Sequence, residues 1–109
     1  MTSCDRRAVP RFQPKPGDEI TYGVTSAVLG DLSLEGVFVL DPDPLPVGSE
    51  IMLTLRAGGQ EISLEGIVRH CLDQEGMGIQ FTNVPAVSQR RLRIHTASLV
   101  AAPSHLVRI

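Results

Sequence analysis

The stretch Ser49-Glu50-Ile51-Met52-Leu53-Thr54-Leu55-Arg56-Ala57-Gly58-Gly59-Gln60-Glu61-Ile62-Ser63-Leu64-Glu65-Gly66-Ile67-Val68 decides the fold class. In an extended chain Ile51, Leu53 and Leu55 share one face. Beyond Ala57-Gly58-Gly59-Gln60, the residues Ile62, Leu64, Gly66 and Val68 share one face, and Glu61, Ser63, Glu65 and Arg69 the other. Apolar residues at period two mark strands with one buried side. Adjacent glycines between two such runs are a hairpin signal.

The same grammar extends in both directions. Asp73-Gln74-Glu75-Gly76 reads as a turn, followed by a strand in which Met77, Ile79 and Phe81 alternate. Pro85 suits the first position of a helix over 86–99. That helix is expected to turn Val87, Leu92, Ile94 and Leu99 inward and Arg90, Arg91 and Arg93 outward. Upstream, the prolines of Asp41-Pro42-Asp43-Pro44-Leu45-Pro46-Val47-Gly48 withhold amide donors and make a stiff loop. Val37-Phe38-Val39-Leu40 is a short apolar strand. From Glu19 to Gly30 one parity holds Ile20, Tyr22, Val24 and Val28, a strand pattern irregular near Gly23. Asp31-Leu32-Ser33 carries turn chemistry, since Asp and Ser side chains bond nearby amides, and Gly36 offers a positive-φ position. Five or six strands with short turns and one closing helix suit a small antiparallel barrel, whose closure removes exposed sheet edges. The expected division is an N-terminal arm over 1–17, entering through a Pro16-Gly17-Asp18 turn, a barrel plus helix over 18–99, and a tail over 100–109.

The chain has 109 residues, enough for one domain and one modest core. No apolar run reaches transmembrane length and no signal peptide is evident, so a cytoplasmic location is expected. Cys4 and Cys71 read as reduced thiols rather than a disulfide framework. The net charge of −2 conceals segregation, for residues 17–80 hold eleven acids against Arg56 and Arg69 alone. An acidic body of this kind argues against DNA or RNA as partner. The basic residues concentrate instead in Arg6, Arg7, Arg11 and Lys15 and again after residue 83.

Two clusters carry chemistry: Arg6-Arg7-Ala8-Val9-Pro10-Arg11 and Asp31-Leu32-Ser33-Leu34-Glu35-Gly36. A guanine base presents adjacent acceptors that match the parallel donors of one arginine. Its N1–H and N2–H₂ donors match the two oxygens of a carboxylate. Asp31 can supply the second pattern and Arg7 or Arg11 the first, leaving Arg6 and the remaining arginine for phosphate. Ser33 adds a small donor and acceptor, and Gly36 allows close backbone approach. A proline-rich arginine arm with few apolar residues suits a segment that orders on an anionic ligand.

At these residues the chain resembles the PilZ domain family, bacterial receptors for cyclic di-GMP. The family's RxxxR motif is matched by Arg7-Ala8-Val9-Pro10-Arg11, with Arg6 preceding it, and its [D/N]xSxxG motif by Asp31, Ser33 and Gly36. Leu45-Pro46-Val47-Gly48-Ser49-Glu50, Gly66-Ile67-Val68-Arg69 and Gly76-Met77-Gly78-Ile79-Gln80-Phe81 extend the resemblance over roughly residues 6–97. The resemblance implies an all-β fold with a C-terminal helix, namely a six-stranded antiparallel barrel of the split-barrel type. It also implies an arginine arm that wraps cyclic di-GMP against the barrel, with Arg6, Arg7, Arg11, Asp31, Ser33 and Gly36 as ligand-binding residues and a protein as downstream partner. Some members stack an aromatic on a base near the turn after the fourth or fifth strand. Here that region reads Arg69-His70-Cys71-Leu72-Asp73, so His70 or Arg69 stands in that place.

Other patterns carry less. Gly76-Met77-Gly78 lacks the third glycine and the strand-to-helix setting of a dinucleotide fingerprint. His70-Cys71 has no partner pair at metal-ligand spacing, so no metal or cofactor is expected. Neither a phosphate loop nor a nucleophile with a neighbouring base is present, and an enzyme is not expected. Arg90, Arg91 and Arg93 read as a solvated helix face or a docking patch. The alternative function is a PilZ-like adaptor between proteins that binds no nucleotide.

Overall fold

In the computed structural model, which describes residues 11–99, Gly58 and Gly59 reverse the chain with φ of +58° and +78°. Both central turn residues thus occupy left-handed space, where side chains are strained. The turn joins β4 (Glu50–Ala57) to β5 (Gln60–Leu72) in register from Ala57↔Gln60 to Glu50↔Ile67. A second reversal at Asp73–Glu75 leads into β6 (Gly76–Asn83), with Gln74 at φ +62°. β3 (Gly36–Leu40) pairs with β6, β2 (Thr25–Leu32) with β3, and β1 (Glu19–Tyr22) with both β2 and β4. All pairings are antiparallel, and the order β1-β2-β3-β6-β5-β4 closes a six-stranded barrel.

The interior is the face predicted for β4 to β6. Leu53, Leu55, Ile62, Leu64, Val68, Met77 and Ile79 are buried, joined by Val37 and Val39. Removing each such side chain from water contributes roughly 1.5–3 kcal/mol. The 19–30 segment departs from its single-strand reading. Gly23, at φ +60°, begins a two-residue reversal in which Tyr22 pairs with Thr25. Val24 sits fully exposed at its tip and Val28 outside the barrel. Parity fails here because the chain reverses at Gly23 and then gains a residue at Gly30, so Ile20, Tyr22, Leu29 and Leu32 are the inward residues.

The helix also departs from its reading. α1 spans Ala86–Thr96, with Pro85 at the N-cap rather than the first helical position. Bonds from Ser98 N to His95 O and from Leu99 N to Thr96 O continue it only as turns. Leu92 is buried and Leu99 packs on the core, but Val87 and Ile94 are exposed. The remaining inward positions are Ser88, His95 and Thr96. Ser88 Oγ donates to the carbonyl of Ser63 at 2.7 Å, and His95 Nε2 meets Asp18 Oδ2 at 2.8 Å. Polar residues with barrel partners occupy this face, so hydropathy alone misplaced it. None of the described helices is long and apolar enough to cross a membrane.

Tyr22 Oη donates to Asp41 Oδ2 where β1 meets the proline loop. Burial, with the Asp41 carboxylate adding to it, pushes the phenol well above its ordinary range. The unfolded phenol, with its pKa of about 10, ionises first, so this contribution is intact below that pH and is lost as pH rises beyond it. Urea midpoints measured from neutral pH to about pH 11 should fall on the alkaline side in wild type and fall less in Tyr22→Phe.

Candidate functional site

The site begins with an irregularity in β2. Leu29 pairs with Val39 and Asp31 with Phe38, leaving Gly30 as an extra residue. Such a bulge shifts the side-chain phase by one. Leu29 and Leu32 both join the core in consequence, and Asp31 is placed on the outer face beside Phe38. The chain then turns through Ser33. Its Oγ accepts from the amides of Glu35 at 3.1 Å and Gly36 at 3.0 Å, and its own amide donates to the Gly36 carbonyl at 2.9 Å. The self-capping turn read from Asp31-Leu32-Ser33 therefore rests on the Ser33 hydroxyl.

Arg11 closes over this turn. Its Nε donates to Asp31 Oδ1 at 2.8 Å, its Nη2 reaches the same oxygen, and its Nη1 donates to Ser33 Oγ at 3.1 Å. Arg11 and Asp31 are only 7% and 5% exposed, a depth at which either charge alone would be costly. The next residue is fixed as well: Phe12 N donates to the Leu32 carbonyl at 2.7 Å, and Leu32 N to the Phe12 carbonyl at 3.0 Å. The C-terminal end of the predicted arm is thus laid along the end of β2. Arg6 and Arg7 lie outside the described residues.

Gly36 is buried, but its φ is not positive. The need for glycine comes from the neighbouring strand, since a Cβ there would lie 2.5 Å from the Ile79 carbonyl oxygen. The structure thus brings Arg11, Asp31, Ser33 and Gly36 together, with Ser33 and Gly36 shaping the turn.

Register extends the site across the barrel wall. Asp31 pairs with Phe38, Phe38 with Gly78, and Gly78 with His70, forming one outer-face row over β2, β3, β6 and β5. Phe38 was read only as part of an apolar strand. It is 1% exposed on this outer face, against Gly30 and Gly76. A second bulge lies between Val68 and His70, with Arg69 as its extra residue. Arg69 is exposed and donates from Nε to Gln80 Oε1 at 2.8 Å, and Gln80 is the register partner of Gly36. His70 and Arg69, adjacent in sequence, therefore both serve the face that carries Asp31. The missed signal was the row itself, which needs the two bulges to be known.

The described part of this face offers an Arg11–Asp31 ion pair with Ser33 beside it and a cationic side chain at Arg69. Such groups can donate hydrogen bonds to a polar molecule and accept them from it. The sequence matches the PilZ domain family over residues 5–98. It matches no curated protein closely enough to count as a relative. The fold is similar to the structure of the Bacillus subtilis inhibitor of motility (MotI/DgrA), with a TM-score of 0.67 and 19% identity over 84% of this chain. The chain spans 49% of the length of that protein.

Proposed function

Because the chain belongs to the PilZ domain family, we propose that it is a non-enzymatic bacterial cytosolic receptor for cyclic di-GMP that signals to a partner protein. The observation that carries this reading is the Arg11–Asp31–Ser33 assembly, in which residues of two separated motifs meet in one buried network. In this reading the Asp31 carboxylate accepts from a guanine edge, and Arg6 and Arg7 supply donors to guanine and phosphate. Arg11 anchors the arm. Its Nε, Nη1 and Nη2 are already engaged on the barrel, so the reordering belongs to the residues before it. In the same reading Arg69 and His70, on the same outer face, meet the far side of a purine.

Isothermal titration of cyclic di-GMP into the full chain tests the reading. Saturable heat supports it, and no heat at ligand concentrations well above micromolar overturns it.

One observation favours a second reading, an adaptor that binds no nucleotide: Nε, Nη1 and Nη2 of Arg11 are all committed to Asp31 and Ser33. Amide spectra separate the two. Ligand-dependent shifts at residues 6–11 support the receptor, and no response there while a partner protein perturbs α1 supports the adaptor.

A further inference from the structure

On the side of the barrel closed by α1 lies a cavity of about 550 Å³ between the helix, the β4–β5 turn and the segment leading into β1. Lys15, Arg90 and Arg91 bring positive charge to it, and Ala57 and Ile94 bring apolar surface. His95 forms part of its wall and is bonded to Asp18, which also accepts the Lys15 amide at 2.8 Å.

The cations here have little to answer them inside the fold. α1 has no acid in its first turn and no side-chain cap, and it carries three arginines. Among the described residues neither Arg90 nor Arg93 makes an ion pair. Arg91 donates to the Glu61 carbonyl at 2.8 Å, while the Glu61 carboxylate is held by Arg56. Like charges at i and i+3 weaken a helix by some tenths of a kcal/mol, and an uncapped N-terminus weakens it further. The exposed Ile94 adds apolar area beside them, 67% open to solvent. Cationic donors around an apolar wall complement an acidic chain that carries an apolar side chain.

We propose that this cavity is the docking site for an acidic segment of a partner protein, its carboxylates meeting Arg90, Arg91 and Lys15 and an apolar side chain resting on Ile94 and Ala57. The cavity shares no lining residue with the Asp31 row, and the proposal does not depend on nucleotide binding. Lys15 belongs to the same segment as Arg11, so an occupant would touch the chain that anchors the arm.

The test is fluorescence anisotropy of the full chain with a short labelled peptide of alternating Glu and Leu, alongside a labelled DNA duplex and phosphatidylserine vesicles. Wild type is expected to bind the peptide, and Arg90→Glu, which removes no hydrogen bond of the fold, to weaken binding roughly tenfold. Arg91→Glu and Ile94→Ser should weaken it too. Arg93→Glu makes the same charge change outside this cavity and should leave affinity within about twofold of wild type. No binding of the peptide overturns the proposal, as does equal weakening by Arg90→Glu and Arg93→Glu. Tighter binding of DNA or vesicles than of peptide, with the same dependence on Arg90, also overturns it and assigns the surface to phosphate.

Discussion

Asp31→Ala is expected to abolish measurable cyclic di-GMP binding while leaving the barrel's urea midpoint close to that of wild type. Loss of a desolvated charged contact typically costs about 2–5 kcal/mol, roughly 30-fold to several-thousand-fold in affinity. Asp31 would act twice, accepting from the base and fixing the anchor of the arm. Its removal leaves the Arg11 guanidinium with Ser33 as its remaining partner. A buried charge left in that state is expensive, but Arg11 has a cheaper exit. Its segment is joined to β2 by the Phe12–Leu32 pair, so release to water sacrifices those two bonds and not the core. Hydrogen exchange at the Phe12 and Leu32 amides should accelerate in Asp31→Ala, and the midpoint should stay. A cycle with Arg11→Ala completes the argument: at the Phe12 and Leu32 amides the double variant should lose less protection than the sum of the singles, because either single already breaks the same contact. Unchanged nucleotide affinity in Asp31→Ala would refute the role given to the carboxylate.

Gly76→Ala should produce the largest loss of stability from the smallest change. A Cβ at Gly76 would lie 2.1 Å from the Val39 carbonyl oxygen and 3.1 Å from the Phe38 ring. The obstacle is backbone in a register-paired strand, Leu40↔Gly76 and Val39↔Met77, so no rotamer change relieves it. β3 and β6 must separate locally. Overpacking of this kind costs about 1–3 kcal/mol or more, read as a lower urea midpoint at unchanged slope. Gly66→Ala is the comparison, since the nearest atom there is a side-chain methyl, Ile79 Cγ2 at 2.6 Å, with the Gln80 carbonyl at 2.9 Å behind it. A Gly76→Ala midpoint within about 0.5 kcal/mol of wild type, the range of ordinary surface changes, would show that the strands part easily. The displaced Phe38 ring would also disturb the row it shares with Asp31.

The sequence alone determined the strands whose hydrophobic alternation runs uninterrupted. β4 and β5 were legible because Leu53, Leu55, Ile62 and Leu64 lie between turns and a Gly-Gly reversal. Period-two burial is a local property that requires no knowledge of the partner strand. The two motifs were legible as residue types, and guanine chemistry named Asp31 and the arginines before any geometry. Tertiary structure decided everything that depends on phase and on neighbours. The reversal at Gly23 and the bulge at Gly30 moved the inward set from Val24 and Val28 to Leu29 and Leu32 and placed Asp31 outside. Glycine at 36 was read as a positive-φ position and as room for close approach to a ligand, whereas the approach of β6 requires it. His95 and Ser88 took inward positions on α1 because Asp18 and the Ser63 carbonyl await them across the fold. Arg11, expected in a loose arm, is seated on Asp31 and Ser33. A residue's periodicity is written in its own segment, but its partner, and the side of the wall on which it meets that partner, exists only once the barrel has closed.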